Sequence, residues 1–266
     1  MKKLYISADI EGVCGIADWK ETDIAESQGS YFRAEMTREV AAACEGANAA
    51  GVEEILVKDA HGSGRSIDPS KLPENVRIMR AWTRDPLSMM SGIDGGFDGA
   101  MYIGYHSAGG TDGNPLAHTM DTTNLRILVN GAIASEFLIN AYTAAFFGVP
   151  SILLAGDRLL CEGAQRTAPG MRTVPVSEGL GNASISINPA LAERRIREGA
   201  AEAARASPPI SPIVLPDRFE IEILYRLHHL AYRGSFYPGA RKKGPLELAF
   251  DTDSWMEAIR FMYFVL

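Results

Sequence analysis

Short apolar runs that each stop at an acidic or histidine residue constrain this chain more than any other feature. Leu4–Ala8 stops at Asp9, residues 53–58 at Asp59, residues 99–105 at His106, and Ser151–Ala155 at Gly156-Asp157. A further run, Leu125–Asn130, leads into a helical pattern from about Ala134 to Phe147, with Glu136 near its start. Between the first two runs, residues 31–49 place Phe32, Met36, Val40 and Cys44 four apart along one side, which is helical spacing. Brief apolar strands alternating with helices predict an α/β fold. Its sheet is expected to be mainly parallel, with helices on both faces.

The texture changes towards the C-terminus. Asn188-Pro189 combines a capping residue with proline at the first helical position, and predicts a helix to about Ala206. Its arginines, Arg194, Arg195 and Arg197, read as a solvated face. Residues 207–216 carry four prolines and read as a connector. Beyond it, Phe219–Ile223 and Leu246–Phe250 alternate apolar and polar residues, as a half-exposed antiparallel pair does. Ser254 and Glu257 have capping-box spacing ahead of a last, very apolar helix that must be buried. The expected organisation is a catalytic α/β region over 1–206 and a smaller C-terminal α+β region over 217–266.

Composition narrows the function. Lys and Arg total 26 against 33 Asp and Glu, a net charge of −7, so no basic excess advertises a nucleic-acid partner. Three dispersed cysteines form no disulfide framework and suit a reducing cytoplasm. Asp9 halts the first apolar run before it reaches the length of a secretion signal. Gly148 and Pro150 break the longest apolar segment, Ala141–Ala155, short of the ~20 residues of a membrane span.

In a parallel sheet the strand ends share one edge, and ligands of open α/β folds bind there. That edge would gather Asp9 and Glu11 after the first strand, Asp59 and His61 after the second, His106 after the third, and Glu136 after the fourth. Singly, an Asp at a strand end is a helix cap and a His beside a strand is a packed core residue. Repeated after successive strands, they repel one another unless a cation intervenes. Imidazole and carboxylate donors without thiolate suit Zn²⁺, Mn²⁺ or a similar divalent ion. Five donors exceed the three a single catalytic zinc takes, and two metals bridged by one carboxylate account for the surplus. Asp9, directly at the strand end, is the candidate bridge.

These residues also carry a resemblance. Ser7-x-Asp9-x-Glu11-Gly12 resembles the opening signature of the DppA-like D-aminopeptidases. Asp59-x-His61, Gly104-Tyr105-His106, His118-Thr119-Met120, Glu136-x-x-x-Asn140-Ala141 and Gly156-Asp157 follow in the family's order. The likeness is strong from residue 3 to about 160 and looser beyond. It implies an aminopeptidase with two zinc ions per subunit, held by Asp9, Glu11, His61, His106 and Glu136, with Asp9 shared. It implies that His118 is a catalytic residue outside the ligand set. It also implies a ring-shaped homo-decamer of two stacked pentamers acting on short peptides or amino-acid amides. One departure is Ser177, where the family often has lysine.

Two other function classes share the donor set. A metal-dependent hydrolase of another amide, an ester or a phosphoester is one, and for phosphate Arg65 is the only nearby cation by sequence. A non-catalytic metal-binding assembly protein is the other, and it requires a metal site with no open position. Cys14 lies close enough to Glu11 to be weighed as a nucleophile. The glycine-rich stretch Gly109–Pro115 reads as a loop that faces substrate and returns His118 to the metals.

Overall fold

A computed structural model describes residues 1–207 and 209–266; Pro208, in the expected connector, lies outside the described residues. Numbered in chain order, the strands are β1 Lys3–Ala8, β2 Glu54–Asp59, β3 Val76–Met79, β4 Gly99–Tyr105, β5 Asn124–Val129, β6 Ala132–Ile133, β7 Ser151–Asp157, β8 Arg172–Leu180, β9 Ala183–Ser186, β10 Phe219–Tyr225, β11 Arg241–Lys242 and β12 Glu247–Thr252. The helices are α1 Trp19–Thr22, α2 Gly29–Ala49, α3 Glu136–Phe146, α4 Arg158–Thr167, α5 Pro189–Ala204, α6 His228–Gly234 and α7 Trp255–Val265. Seven strands form one sheet in the order β3-β2-β1-β4-β7-β8-β9, parallel except for the β8–β9 hairpin. The other five form an antiparallel sheet, β11-β12-β10-β5-β6.

The period of two in β1 decides which layer each side chain enters. Leu4, Ile6 and Ala8 join Met36, Val40 and Ile196 of α2 and α5 on one face. Tyr5 joins Phe137 and Leu160 of α3 and α4 on the other. β4 follows the same alternation until its end. Its pairing with β7 shifts register between Ile103 and Tyr105, where Gly104 takes φ +73°. The irregularity returns Tyr105 to the α3/α4 layer that already holds Tyr102, and it sets the direction in which the chain enters His106.

The expected mainly parallel sheet with helices on both faces is present. One strand differs from expectation. The run at 125–130 is β5, and it belongs to the antiparallel sheet, where it pairs with β10. Its hairpin to β6 turns through Asn130 and Gly131, both with positive φ, so the chain reverses instead of crossing over as a parallel strand would require. Glu136 therefore reaches the site from the N-terminus of α3. The alternating segments pair as β10 and β12. Ser254 forms no capping box; its side chain accepts no cap hydrogen bond, and its N–H donates to Thr252 Oγ1 at 3.1 Å. α7 buries Trp255, Ile259, Phe261 and Met262, but Phe264 stays exposed.

Candidate metal centre

The carboxyl ends of β1, β2 and β4 meet beside the start of α3. Asp9 N–H still donates to Ile103 O at 2.8 Å, and two residues beyond Ile10, Gly12 N–H donates to Gly104 O at 2.8 Å. The first loop thus crosses directly over the end of β4. A Cβ on Gly12 would lie 1.9 Å from Tyr105 O, and one on Gly156 equally close, so the end of the central strand is flanked by two residues that must lack side chains. Asn114 Nδ2 donates to Glu11 O at 3.0 Å and holds the other end of the loop.

Asp9, Glu11, His106 and Glu136 are buried, and His61 and His118 are half-buried. Asp9 Oδ1 lies 3.3 Å from His61 Nδ1, and Asp9 Oδ2 lies 3.5 Å from His106 Nε2. Glu11 Oε2 is 3.1 Å from His61 Nδ1, and Glu136 Oε2 is 3.5 Å from His106 Nε2. The donors fall into two groups, Asp9–Glu11–His61 and His106–His118–Glu136, with ligand atoms within 4.8 Å of one another in each.

Backbone carbonyls fix all three rings. His61 Nε2 faces Thr22 O at 3.2 Å, His106 Nδ1 faces Ser107 O at 3.0 Å, and His118 Nδ1 faces Leu116 O at 2.9 Å. Each of those nitrogens donates its proton outward, which leaves the other ring nitrogen turned to the cluster as a potential ligand. Asp157 secures Ser107 by accepting from its N–H and, at 2.6 Å, from its hydroxyl, and so holds the residue next to His106. Met120 N–H donates to Glu136 Oε1 at 2.7 Å. Beneath the site a relay runs from Asn140 Nδ2 to Tyr105 Oη, on to Ser7 Oγ, and ends at Met89 O.

The donor set fits a divalent cation. Glu11 Oε2 and His106 Nε2 are buried and have no hydrogen-bond partner among the described residues. Burial alone would keep both imidazoles neutral. The charge of Glu11, helped by Asp9, overrides it at His61, and Glu136 with Asp9 overrides it at His106, so both rings are held well above the usual imidazole range. Burial would also raise Asp9, but the facing rings of His106 and His61 hold its carboxyl well below the usual carboxylate range. Positive charge at this point stabilises the cluster, and a cation would supply it while releasing the protons.

Other residues singled out from sequence lie elsewhere. Asp59 accepts from Ile67 N–H at 2.8 Å and organises the turn after β2. Cys14 Sγ donates to Ile187 O at 3.0 Å and burial pushes its thiol up to about 12, which removes it as a nucleophile. The loop at 109–115 supports Glu11 and His118 and does not line the cavity in front of the donors. Arg65 and Ser177 do not line it either. The cavity, about 430 Å³, is walled by Trp19, Trp82, Arg84 and Tyr263. None of these four carried a sequence signal, because they come from the short helix α1, a loop and a C-terminal helix that only folding brings to the sheet edge.

The family model described as D-aminopeptidase matches residues 1–264. A D-aminopeptidase of Bacillus subtilis is 28% identical over 262 residues, covering 98% of this chain and 95% of its own. A solved structure, described as the Zn-dependent D-aminopeptidase DppA from Bacillus subtilis, a self-compartmentalizing protease, superposes with a TM-score of 0.92 at 28% identity. The match covers 99% of this chain and 96% of that one. The matched span takes in both sheets and every donor around Asp9, and the chain belongs to the D-aminopeptidase family.

Proposed function

We propose that this chain is a zinc-dependent D-aminopeptidase that removes N-terminal D-amino acids from short peptides or amides at a two-metal site. The observation that carries this is the division of Asp9, one carboxylate oxygen facing His61 and the other His106. Asp9, Glu11 and His61 would hold one ion, and Asp9, His106 and Glu136 the other. Bound there, a divalent cation supplies Lewis acidity and brings the ionisation of a water towards neutral pH.

The protein's own groups do the rest. Met120 N–H and the ring contacts hold Glu136 and the imidazoles in place before substrate arrives. His118 stacks on His106 at 4.4 Å and meets the edge of Trp19 at 5.1 Å, so its ring has little freedom. Its Nε2, 3.6 Å from Glu136 Oε1 on the cavity side, would take the proton that the attacking water gives up and pass it to the leaving amine. Zinc, and assembly into a closed homo-oligomer that we take to be the decamer, are supported by the description of the structural neighbour. A cytoplasmic setting fits three cysteines that are buried and free. Among the described residues no helix is long and apolar enough to cross a membrane.

The test is hydrolysis of D-alanyl and L-alanyl p-nitroanilide side by side, with chelator and after metal is restored. Chelator-sensitive cleavage of the D form is expected. Cleavage of the L form alone would leave a metallopeptidase and overturn the stereochemistry. Cleavage of neither by zinc-loaded protein would overturn the aminopeptidase assignment.

A further inference from the structure

We propose that Lys58 is a positioning residue for substrate binding, its buried ammonium holding the indole of Trp82 beside His61 as a fixed wall of the cavity. This rests on the aminopeptidase assignment above. Alternation along β2 sends Ile55 and Val57 into the α2/α5 layer, which puts Lys58 on the opposite face with Leu56. Lys58 is fully buried there and forms no ion pair among the described residues. A buried ammonium is costly unless each of its donors finds a partner. Nζ donates to Asp59 O at 2.5 Å and to Ala81 O at 2.9 Å, and it sits 4.2 Å from the centre of the Trp82 ring. Two carbonyls and a π face thus use the three N–H groups. Burial pushes the ammonium down to about 8, so it is still charged at pH 7.

The neighbouring bonds fix where the indole stands. Trp82 Nε1 donates to Gly62 O at 2.7 Å, and Ala81 N–H donates to Gly64 O at 2.7 Å. Gly64 N–H in turn donates to His61 O at 2.7 Å. The segment is therefore laced to the turn that starts at His61, and His61, Gly62 and Trp82 all line the cavity. The approach is close, since a Cβ on Gly64 would lie 2.9 Å from Ala81 Cα. Ala81 itself has φ +63°. Residues other than glycine avoid this region, and such a conformation persists only where the surroundings enforce it. Lys58 supplies the enforcing bond from the sheet side, through Ala81 O. A leucine or methionine would fill the space under Trp82 without burying a charge, but it would leave Ala81 O and the ring without that hold.

An indole held at its N–H and over its ring keeps one rotamer before substrate arrives. A loose indole must be ordered at the moment of binding, which weakens association. That loss falls equally on the bound substrate and on the transition state, so it raises KM and leaves kcat in place. Damage to the donors around Asp9 would instead lower kcat or release metal.

The experiment combines fluorine NMR of zinc-loaded protein labelled with 5-fluorotryptophan and hydrolysis of D-alanyl p-nitroanilide, both at pH 7. The chain has three tryptophans, and single Trp→Phe variants assign their resonances. Lys58→Met is expected to shift and broaden the Trp82 resonance and to leave that of Trp255 in place. Its KM should rise about 10-fold, with kcat within about twofold of wild type and zinc content unchanged. Lys58→Arg, which keeps a cation against the indole, should recover part of the KM. Trp82→Leu should raise KM to the same extent, and Lys58→Met should add nothing in that background. An unmoved Trp82 resonance in Lys58→Met, a fall in kcat at unchanged KM, or additive effects of the two changes overturns the proposal. An unchanged KM in Trp82→Leu, at a half-buried residue that tolerates substitution, overturns it even if Lys58→Met fails to fold. Failure of the wild type to cleave overturns the aminopeptidase assignment, whereas cleavage with an unmoved KM in the variants overturns only the role of Lys58.

Discussion

His118 and Glu39 show how one side chain's surroundings set its role. His118 shares a compact donor group with His106 and Glu136, yet its Nε2 opens on the cavity. If it handles protons and binds no metal, His118→Ala should lower kcat by roughly 10²- to 10⁴-fold. Metal analysis should find the zinc content of the wild type unchanged; loss of metal would make it a ligand. Glu39 of α2 is fully buried, and its Oε1 accepts from Cys14 N–H at 2.9 Å. Burial pushes its carboxyl up to about 8, against the pull of that N–H and with the charge of Glu35 adding to the rise. The folded chain therefore keeps a proton that the unfolded chain releases above about 4.5. Stability should decline as pH rises from about 4.5 to about 8 and level off above. The loss between pH 6 and 8 should be about 2 kcal/mol. Glu39→Gln keeps the acceptor for Cys14 and has no such proton. Melting curves at saturating zinc should fall with pH more steeply for the wild type than for the variant, and parallel slopes would refute this.

Among the elements, the end of β4 organises the site. Gly104 carries the bulge, and Gly12 of the loop after β1 and Gly156 of β7 close on Tyr105 O from either side. Gly12→Ala must push β1's loop away from β4, and with it Glu11, by more than a methyl group can be absorbed in a packed core. Urea unfolding should show a loss of about 3 kcal/mol, and zinc content should fall as Glu11 leaves His61. Unchanged zinc with unchanged stability would mean the loop has room to move. Apolar runs bounded by Asp or His made β1, β2, β4 and β7 legible in the sequence, and Asn188-Pro189 made the start of α5 legible. β8 was not legible, because only Val174 and Val176 are buried along it and Pro175 interrupts the pattern. α4 was missed because its apolar side chains pack under β7 and β8 on one narrow face between exposed polar residues.

At the scale of the whole molecule the cluster is a concentration of buried charge that the fold must neutralise. Stripping zinc with a chelator leaves the carboxylates and imidazoles dependent on protons alone. A ligand that binds only the folded state at 1,000 times its Kd contributes about 4 kcal/mol. Chelated protein should melt at a distinctly lower temperature and recover when zinc is restored; an unmoved transition would place the donors outside any metal site. The sequence by itself determined the central parallel sheet and the polar residues that end its strands. Each of those is written locally, in an apolar run or in the polar residue that ends it. Only the tertiary structure decided which sheet β5 joins, because that depends on a hairpin at Asn130-Gly131 and on β10, about ninety residues away. It alone also brought Trp19, Arg84 and Tyr263 to the cavity. Those residues belong to segments with no shared pattern in the chain, and their proximity is fixed by the packing of layers.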